Sequence, residues 1–266
     1  MKVALCLSGL MRDFETSGAS YNEFICNHLK ADVFVHTWKE NAESSNTRFS
    51  SSKMSDVDDK RQFFTNTFPN SKVSFCIEDF NSDWNFRKNF GNNLAPRTTA
   101  IMYYSIYKSN LLKTKYEENN DFVYDIVIRA RMDFLMKQNI DMSELLECCG
   151  DDKVVYVGTN LFHKGPTLSR MNWDYGSQFG VEDQFAFGSS HAMNKYSSCY
   201  LKQNNMQYEG GEITLGRHFM EQNLIPKRTK FRFKSLQFAE EHRTVYWEDY
   251  DKFEQTIFKK DNKNEI

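Results

Sequence analysis

The apolar positions of this chain alternate between short continuous runs and helical spacings, and that alternation is its main structural signal. Lys2 to Leu7 is a compact apolar run that stops at Ser8-Gly9, which predicts a buried strand meeting a tight turn. From Glu15 to Leu29 the spacing changes, with Tyr21, Phe24, Ile25 and His28/Leu29 recurring at helical steps. Asp32-Val33-Phe34-Val35-His36-Thr37-Trp38 then predicts a second strand. Strand, helix and strand within about forty residues form the βαβ signature of a parallel sheet.

The pattern continues along the chain. Asn41 to Lys60 is rich in Ser, Asn and Asp without an apolar period and reads as a surface loop. A short helix over Asp58 to Phe68 stops near Pro69, and Lys72 to Ile77 is a third strand. Pro96 opens the clearest helix, in which Ile101, Tyr104, Lys108, Leu111/Leu112 and Lys115 fall three or four apart. Tyr124 to Ile128 is an apolar strand that runs directly into Arg129-Ala130-Arg131-Met132-Asp133. A helix over Asp141–Cys148 and a strand over Lys153–Val157 follow, and Gly158 to Gly180, without period, reads as a long loop over the site. Gln184 to Gly188 is a short strand, Ala192 to Lys202 and Ile213 to Gln222 are helices, and Lys227 to Lys234 is a strand. The sum is an α/β chain, a Rossmann-type sandwich with a central, mostly parallel mixed sheet flanked by helices. Residues 1–258 read as one domain and 259–266 as a polar tail.

Composition narrows the function classes. The 34 basic and 36 acidic side chains nearly cancel, so nothing points to a nucleic-acid partner, and any anion site must be local. No stretch approaches the ~20 apolar residues of a transmembrane span. The apolar run at the N-terminus is followed by Arg12-Asp13 instead of a small-residue cleavage site, so a first strand explains it better than a signal segment. The cysteines Cys6, Cys26, Cys76, Cys148, Cys149 and Cys199 include no C-x-x-C pair, and they read as reduced thiols in a reducing compartment, which places the chain in the cytoplasm. Scarce Pro with heavy use of Asn, Lys, Phe and Ile suits an AT-rich viral or bacterial genome, and for a virus the compartment is the host cytoplasm.

Candidate chemistry begins with Arg129, Arg131 and Asp133. At i, i+2 and i+4 of a strand they share one face, at the carboxyl end where open parallel sheets bind ligands. Three buried charges cost several kcal/mol unless paired or liganded. A diphosphate with a divalent cation would satisfy them, Asp133 holding the metal and the arginines the phosphate oxygens; a structural Arg–Asp pair is the alternative. Ser8, Gly9 and Arg12 end the first strand, where a glycine allows close approach of a nucleotide and Arg12 can reach phosphate or base; simple strand termination serves as well. Glu182 and Asp183 precede an apolar strand, where one of them could act as general base on an acceptor hydroxyl. Because neighbours on a strand point to opposite faces, at most one should face the pocket. Trp173 and Tyr175, on the long loop, suit an acceptor glycan. Tyr103 and Tyr104 read as core, His36 as a buried hydrogen-bonded histidine, and His218 and His242 as structural. Lys227, Arg228, Lys230, Arg232 and Lys234 read as a solvated strand face, or one that closes over a diphosphate.

The order of these motifs resembles a family of GT-A-type glycosyltransferases from viruses and bacteria. The resemblance rests on Val3-Ala4-Leu5-Cys6-Leu7-Ser8-Gly9 with Arg12, on Asp32 to Trp38, on Tyr124 to Asp133, and on Glu182-Asp183-Gln184-Phe185-Ala186-Phe187-Gly188, and it covers roughly residues 2 to 235. It implies a GT-A-like fold and a hexosyl- or deoxyhexosyl-transferring enzyme that moves a sugar from a nucleotide-sugar donor to a glycan or glycoconjugate acceptor. It also implies a D-x-D motif holding Mn²⁺ or Mg²⁺ with the donor diphosphate. Here that motif reads Arg131-Met132-Asp133, with an arginine where the first aspartate would stand. By the same resemblance Asp183 is preferred over Glu182 as the base. The alternative is a non-catalytic nucleotide- or glycan-binding protein on the same scaffold; a nucleotidyltransferase fits less well without a glycine-rich N-terminal loop.

Overall fold

A computed structural model describes residues 1–12, 14–39, 56–79, 97–158, 181–202, 211–231 and 233–235. Strand β1 (Val3–Ser8) is buried along its whole length, as a run apolar on both faces requires. Helix α1 (Phe14–Tyr21) passes into a π-helical turn over Asn22–Asn27, and Lys30, at φ 53°, ends the helical path in the left-handed region. Then come β2 (Asp32–Trp38), α2 (Val57–Thr67), β3 (Val73–Glu78) and the long helix α3 (Arg97–Asn119). Asp56 caps α2 by accepting from the amides of Asp58 and Asp59. After β4 (Ile126–Arg131) the chain makes β5 (Phe134–Met136), α4 (Met142–Cys148), β6 (Val154–Val157) and β7 (Phe185–Gly188). It continues through α5 (Ser190–Ser197), α6 (Cys199–Lys202), α7 (Gly211–Glu221), β8 (Ile225–Arg228) and β9 (Phe233–Ser235).

Seven strands form one mixed sheet in the order β3-β2-β1-β4-β7-β6-β8. All pairings are parallel except the two made by β7, against β4 and β6. Each face is covered. On one, Leu5, Val33, Val35, Ile128 and Phe187 pack with Phe14, Tyr21, Phe64 and Leu145; on the other, Ala4, Cys6, Phe34, Val127 and Ala186 pack with Tyr103, Ile106, Met193, Tyr196 and Phe219. The chain is therefore α/β, with a mostly parallel mixed sheet flanked by helices. From β1 the chain winds outward through β2 and β3 and then returns to β4 on β1's other side. That reversal is a topological switch point, and the region beyond the carboxyl ends of β1 and β4 is the usual ligand position in such sheets.

Three departures from the sequence pattern have local causes. The run Lys227–Lys234 is two strands in two sheets, β8 beside β6 and β9 beside β5. Between them the buried Glu144 accepts from Thr229 Oγ1 (2.6 Å) and from the Lys230 amide (2.8 Å), which bends the chain. The alternating basic face is therefore absent; Lys227 pairs with Glu147, and Lys230 lies 3.8 Å from Asp141. The helix expected over Ala192–Lys202 is broken into α5 and α6 at Ser198, whose hydroxyl donates to the Lys195 carbonyl at 2.7 Å. Strand β5 was hidden by the charges that precede it. Among the described residues no helix is long and apolar enough to cross a membrane, and all six cysteines are free.

One glycine locks the sheet's middle. A Cβ on Gly188 would lie 2.8 Å from the Val154 carbonyl oxygen and 3.5 Å from the Ala192 side chain. Gly188→Ala is expected to cost ~1–3 kcal/mol, read as a lower urea midpoint with an unchanged slope.

Candidate functional site

The carboxyl end of β1 places Ser8 and Gly9 at this switch point. Gly9 has φ 112°, which only glycine adopts without strain, and its amide donates to the His36 carbonyl at 3.1 Å. Open space surrounds its α-carbon on the side a Cβ would occupy. Arg12 also lies at positive φ (35°) and turns its side chain back toward β4. Ser8 is in register with Arg131, and Cys6 with Arg129.

Strand β4 ends at Arg131, and Asp133 sits on the following turn, so the expected single strand face of three charges stops after two. The turn is set by α1: Ser17 Oγ donates to the Met132 carbonyl at 2.6 Å, and the Tyr21 hydroxyl donates to the Arg131 carbonyl. It folds Asp133 onto the arginines. Arg131 donates Nε to Oδ1 (3.0 Å) and Nη2 to Oδ2 (2.6 Å), and Arg12 Nη1 reaches Oδ2 at 2.7 Å. These bonds use three of a carboxylate's roughly four acceptor positions. Burial would raise the Asp133 pKa, but Arg131 and Arg12 outweigh it and hold the carboxyl below its usual value. Burial likewise works against the Arg131 charge, and Asp133 with Asp183 more than restores it.

The antiparallel direction of β7 brings its leading residues to the same edge. The Arg131 amide donates to the Gln184 carbonyl (3.1 Å), and the Val181 amide to that of Glu212 (2.8 Å). Glu182 and Asp183 thus lie before the strand, where the alternation rule does not apply, and both are buried, at 2% and 6% exposure. Arg129, at 1% exposure, is buried with them. Its Nε, Nη1 and Nη2 have no hydrogen-bond partner among the described residues, and neither do both Glu182 carboxyl oxygens, Ser8 Oγ and Tyr196 Oη. Burial, then the charge of Asp183, pushes Glu182 well above the carboxylate range against the pull of Arg129 and Arg131. Burial also raises Asp183, opposed chiefly by Arg129. Buried polar atoms are almost always satisfied, so a group of such atoms at one sheet edge calls for a reason.

The other singled-out residues are scattered. His36 is fully buried, with Nε2 3.4 Å from Glu78 Oε2, and His218 Nε2 lies 2.7 Å from the Lys195 carbonyl. Tyr103 is core, its hydroxyl donating to the Gly211 carbonyl at 2.6 Å. Tyr104, read as core, instead stacks on Trp38 and donates to Glu78 Oε2 at 2.7 Å. Burial works against the Glu78 charge, but hydrogen bonds from His36, Lys108 and Tyr104 hold its carboxyl far below the usual range. Trp173, Tyr175, Arg232 and His242 lie outside the described residues, as does the tail 259–266. The sequence reading missed Tyr196 and Glu78. Glu78 carries the same signal as Arg129, a charge closing an apolar strand, whereas Tyr196 has the spacing of a core residue. Comparison with protein-family models finds no match, and neither does a search of curated protein sequences.

Proposed function

We propose that this chain is a glycosyltransferase that moves a sugar from a nucleotide-diphosphate sugar to a hydroxyl of a glycan or glycoconjugate, on a GT-A-like scaffold. The observation that carries the reading is Arg129, a buried guanidinium with no hydrogen-bond partner among the described residues, beside two buried carboxyls at the edge where the sheet's winding reverses. A diphosphate would supply the acceptors that the guanidinium lacks, in bidentate form. Ser8 and Gly9 would let the nucleotide approach the backbone closely. In an inverting transfer, the acceptor hydroxyl gives its proton to a carboxylate as the oxygen attacks the anomeric carbon and the bond to the diphosphate breaks. Asp183 suits that base, since Arg129 and Arg131 oppose the rise that burial imposes on it and the pair can share one negative charge.

The surroundings of Asp133 do not fit a Mn²⁺ or Mg²⁺ ion. Two guanidiniums already hold it, whereas a hard cation asks for several free oxygens. In this reading the leaving diphosphate is neutralised by arginine, and no step passes through an ion. The same saturation of Asp133 favours the second reading, a non-catalytic nucleotide- or glycan-binding protein.

A thermal-shift screen of nucleoside diphosphates, with and without Mn²⁺, tests binding, and release of free nucleoside diphosphate from a panel of nucleotide sugars tests turnover. The enzyme reading expects a shift that does not need Mn²⁺, together with turnover that falls about 10²-fold in Asp183→Asn while the shift persists. A shift without turnover supports the binding protein. No shift with any diphosphate removes the enzyme and the nucleotide-binding protein alike.

A further inference from the structure

The row of paired positions that holds Ser8 and Arg131 continues away from the arginines. Ser8 is in register with His36 of β2, and His36 with Cys76 of β3. Glu78 follows two residues after Cys76 and so lies on the same face. An imidazole, a thiol and a carboxylate meet there, with donor atoms all within 4.8 Å of one another. Their spacing is informative. His36 Nε2 lies 3.4 Å from Glu78 Oε2, and Cys76 Sγ lies 3.4 Å from Glu78 Oε1. An N···O separation of that length is long for a hydrogen bond. It also matches the edge of a metal tetrahedron, since bonds of ~2.0–2.3 Å to zinc set neighbouring ligands roughly 3.3–3.7 Å apart.

We propose that His36, Cys76 and Glu78 form a site for a borderline-soft divalent cation of the zinc class, entered by displacing the ammonium of Lys108. Lys108 Nζ, 2.6 Å from Glu78 Oε1, is the resident counter-charge. On binding, the Cys76 thiol gives its proton to solvent and the thiolate ligates the metal, while His36 and Glu78 contribute a nitrogen and an oxygen. The mixed N, S and O donor set selects zinc or cobalt over magnesium, calcium and manganese, which prefer oxygen. Tyr104, donating to Glu78 Oε2 at 2.7 Å, supplies the outer hydrogen bond that orients a ligating carboxylate. Three protein ligands leave a fourth position open, as in zinc sites that bind a water or a substrate. Two strand spacings, roughly 10 Å, separate His36 from Arg131, so this site is distinct from the diphosphate grip and does not depend on it.

The test adds Co²⁺ to the reduced, metal-free full chain and follows the near-ultraviolet thiolate-to-cobalt charge-transfer band, with Zn²⁺ added afterwards to displace it. The expected result is a band that saturates at one equivalent and is lost in Cys76→Ser. In Lys108→Met, where the competing cation is gone, binding tightens roughly fivefold. His36 is fully buried and its variants can fail to fold, so the assignment rests on partly exposed Cys76 and Lys108. Absence of a thiolate band in both the wild type and Lys108→Met overturns the proposal. So does a band that survives Cys76→Ser, because its thiolate then lies elsewhere.

Discussion

Replacing Arg129 with methionine is expected to make the protein more stable and, in the same stroke, to abolish its response to nucleoside diphosphates. Arg129 is 1% exposed and its three guanidinium nitrogens find no hydrogen-bond partner among the described residues. Replacing buried ionic groups by apolar side chains of similar volume often gains ~1–4 kcal/mol, and a guanidinium without hydrogen bonds is a stronger case than a well-made pair. For a chain of this size such a gain raises the melting temperature by roughly 2–10 °C. Loss of the arginine also removes the main influence opposing the rise of Asp183, so the neighbouring carboxyls become more fully protonated and no new buried charge is left behind. A diphosphate at a hundredfold excess over its dissociation constant adds ~2.7 kcal/mol to the wild type, and that increment should vanish in the variant. Arg129→Lys, which keeps the charge and loses the planar fork, should recover only part of it. A variant that melts lower than the wild type yet keeps its nucleotide shift would make Arg129 a structural residue and withdraw the diphosphate grip. Stability traded against a ligand site is the general pattern for charge held ready in a protein interior.

The sheet was legible because of its parallel core. Strands buried on both faces must be apolar throughout, and Val3–Leu7, Val33–Val35 and Ile126–Ile128 show this as continuous runs without help from neighbours. The same logic drew attention to Arg129 and Arg131, since charge inside such a run is costly and needs a reason. The residues singled out at Ser8, Arg12, Arg129, Arg131, Asp133, Glu182 and Asp183 lie along one edge of one sheet. The arrangement within that edge could not be read in advance. Asp133 leaves the strand face because Ser17 and Tyr21, more than a hundred positions earlier in the chain, hold the turn after β4. Glu182 and Asp183 are not bound by strand alternation and are both buried, because the strand begins only at Phe185. Lys227–Lys234 kept the alternation of a strand while the buried Glu144 bent it into two. Each case is a tertiary contact overriding a local period, and a single sequence does not encode which distant side chain will arrive.

Asp133→Ala is expected to destabilise the fold by ~3–5 kcal/mol, because it removes the buried carboxylate that both Arg131 and Arg12 hold. Asp133→Asn keeps the shape and one acceptor and should cost less. Loss of activity in the alanine variant alone therefore says nothing about chemistry; the asparagine variant, compared at equal folded fraction, does. The pH dependence separates this aspartate from the carboxyls that precede β7. Its folded-state pKa lies below the unfolded value, so its contribution is complete above about pH 4 and disappears as pH falls through the folded value. Glu182 and Asp183 are raised, so what they contribute is complete below the unfolded value of about 4 and is lost as pH rises. Urea unfolding of the wild type and Asp133→Ala between pH 3 and pH 8 should give a difference that is constant through neutral pH and shrinks at the acid end. A difference that instead grows toward acid would mean that Asp133 is protonated in the folded protein.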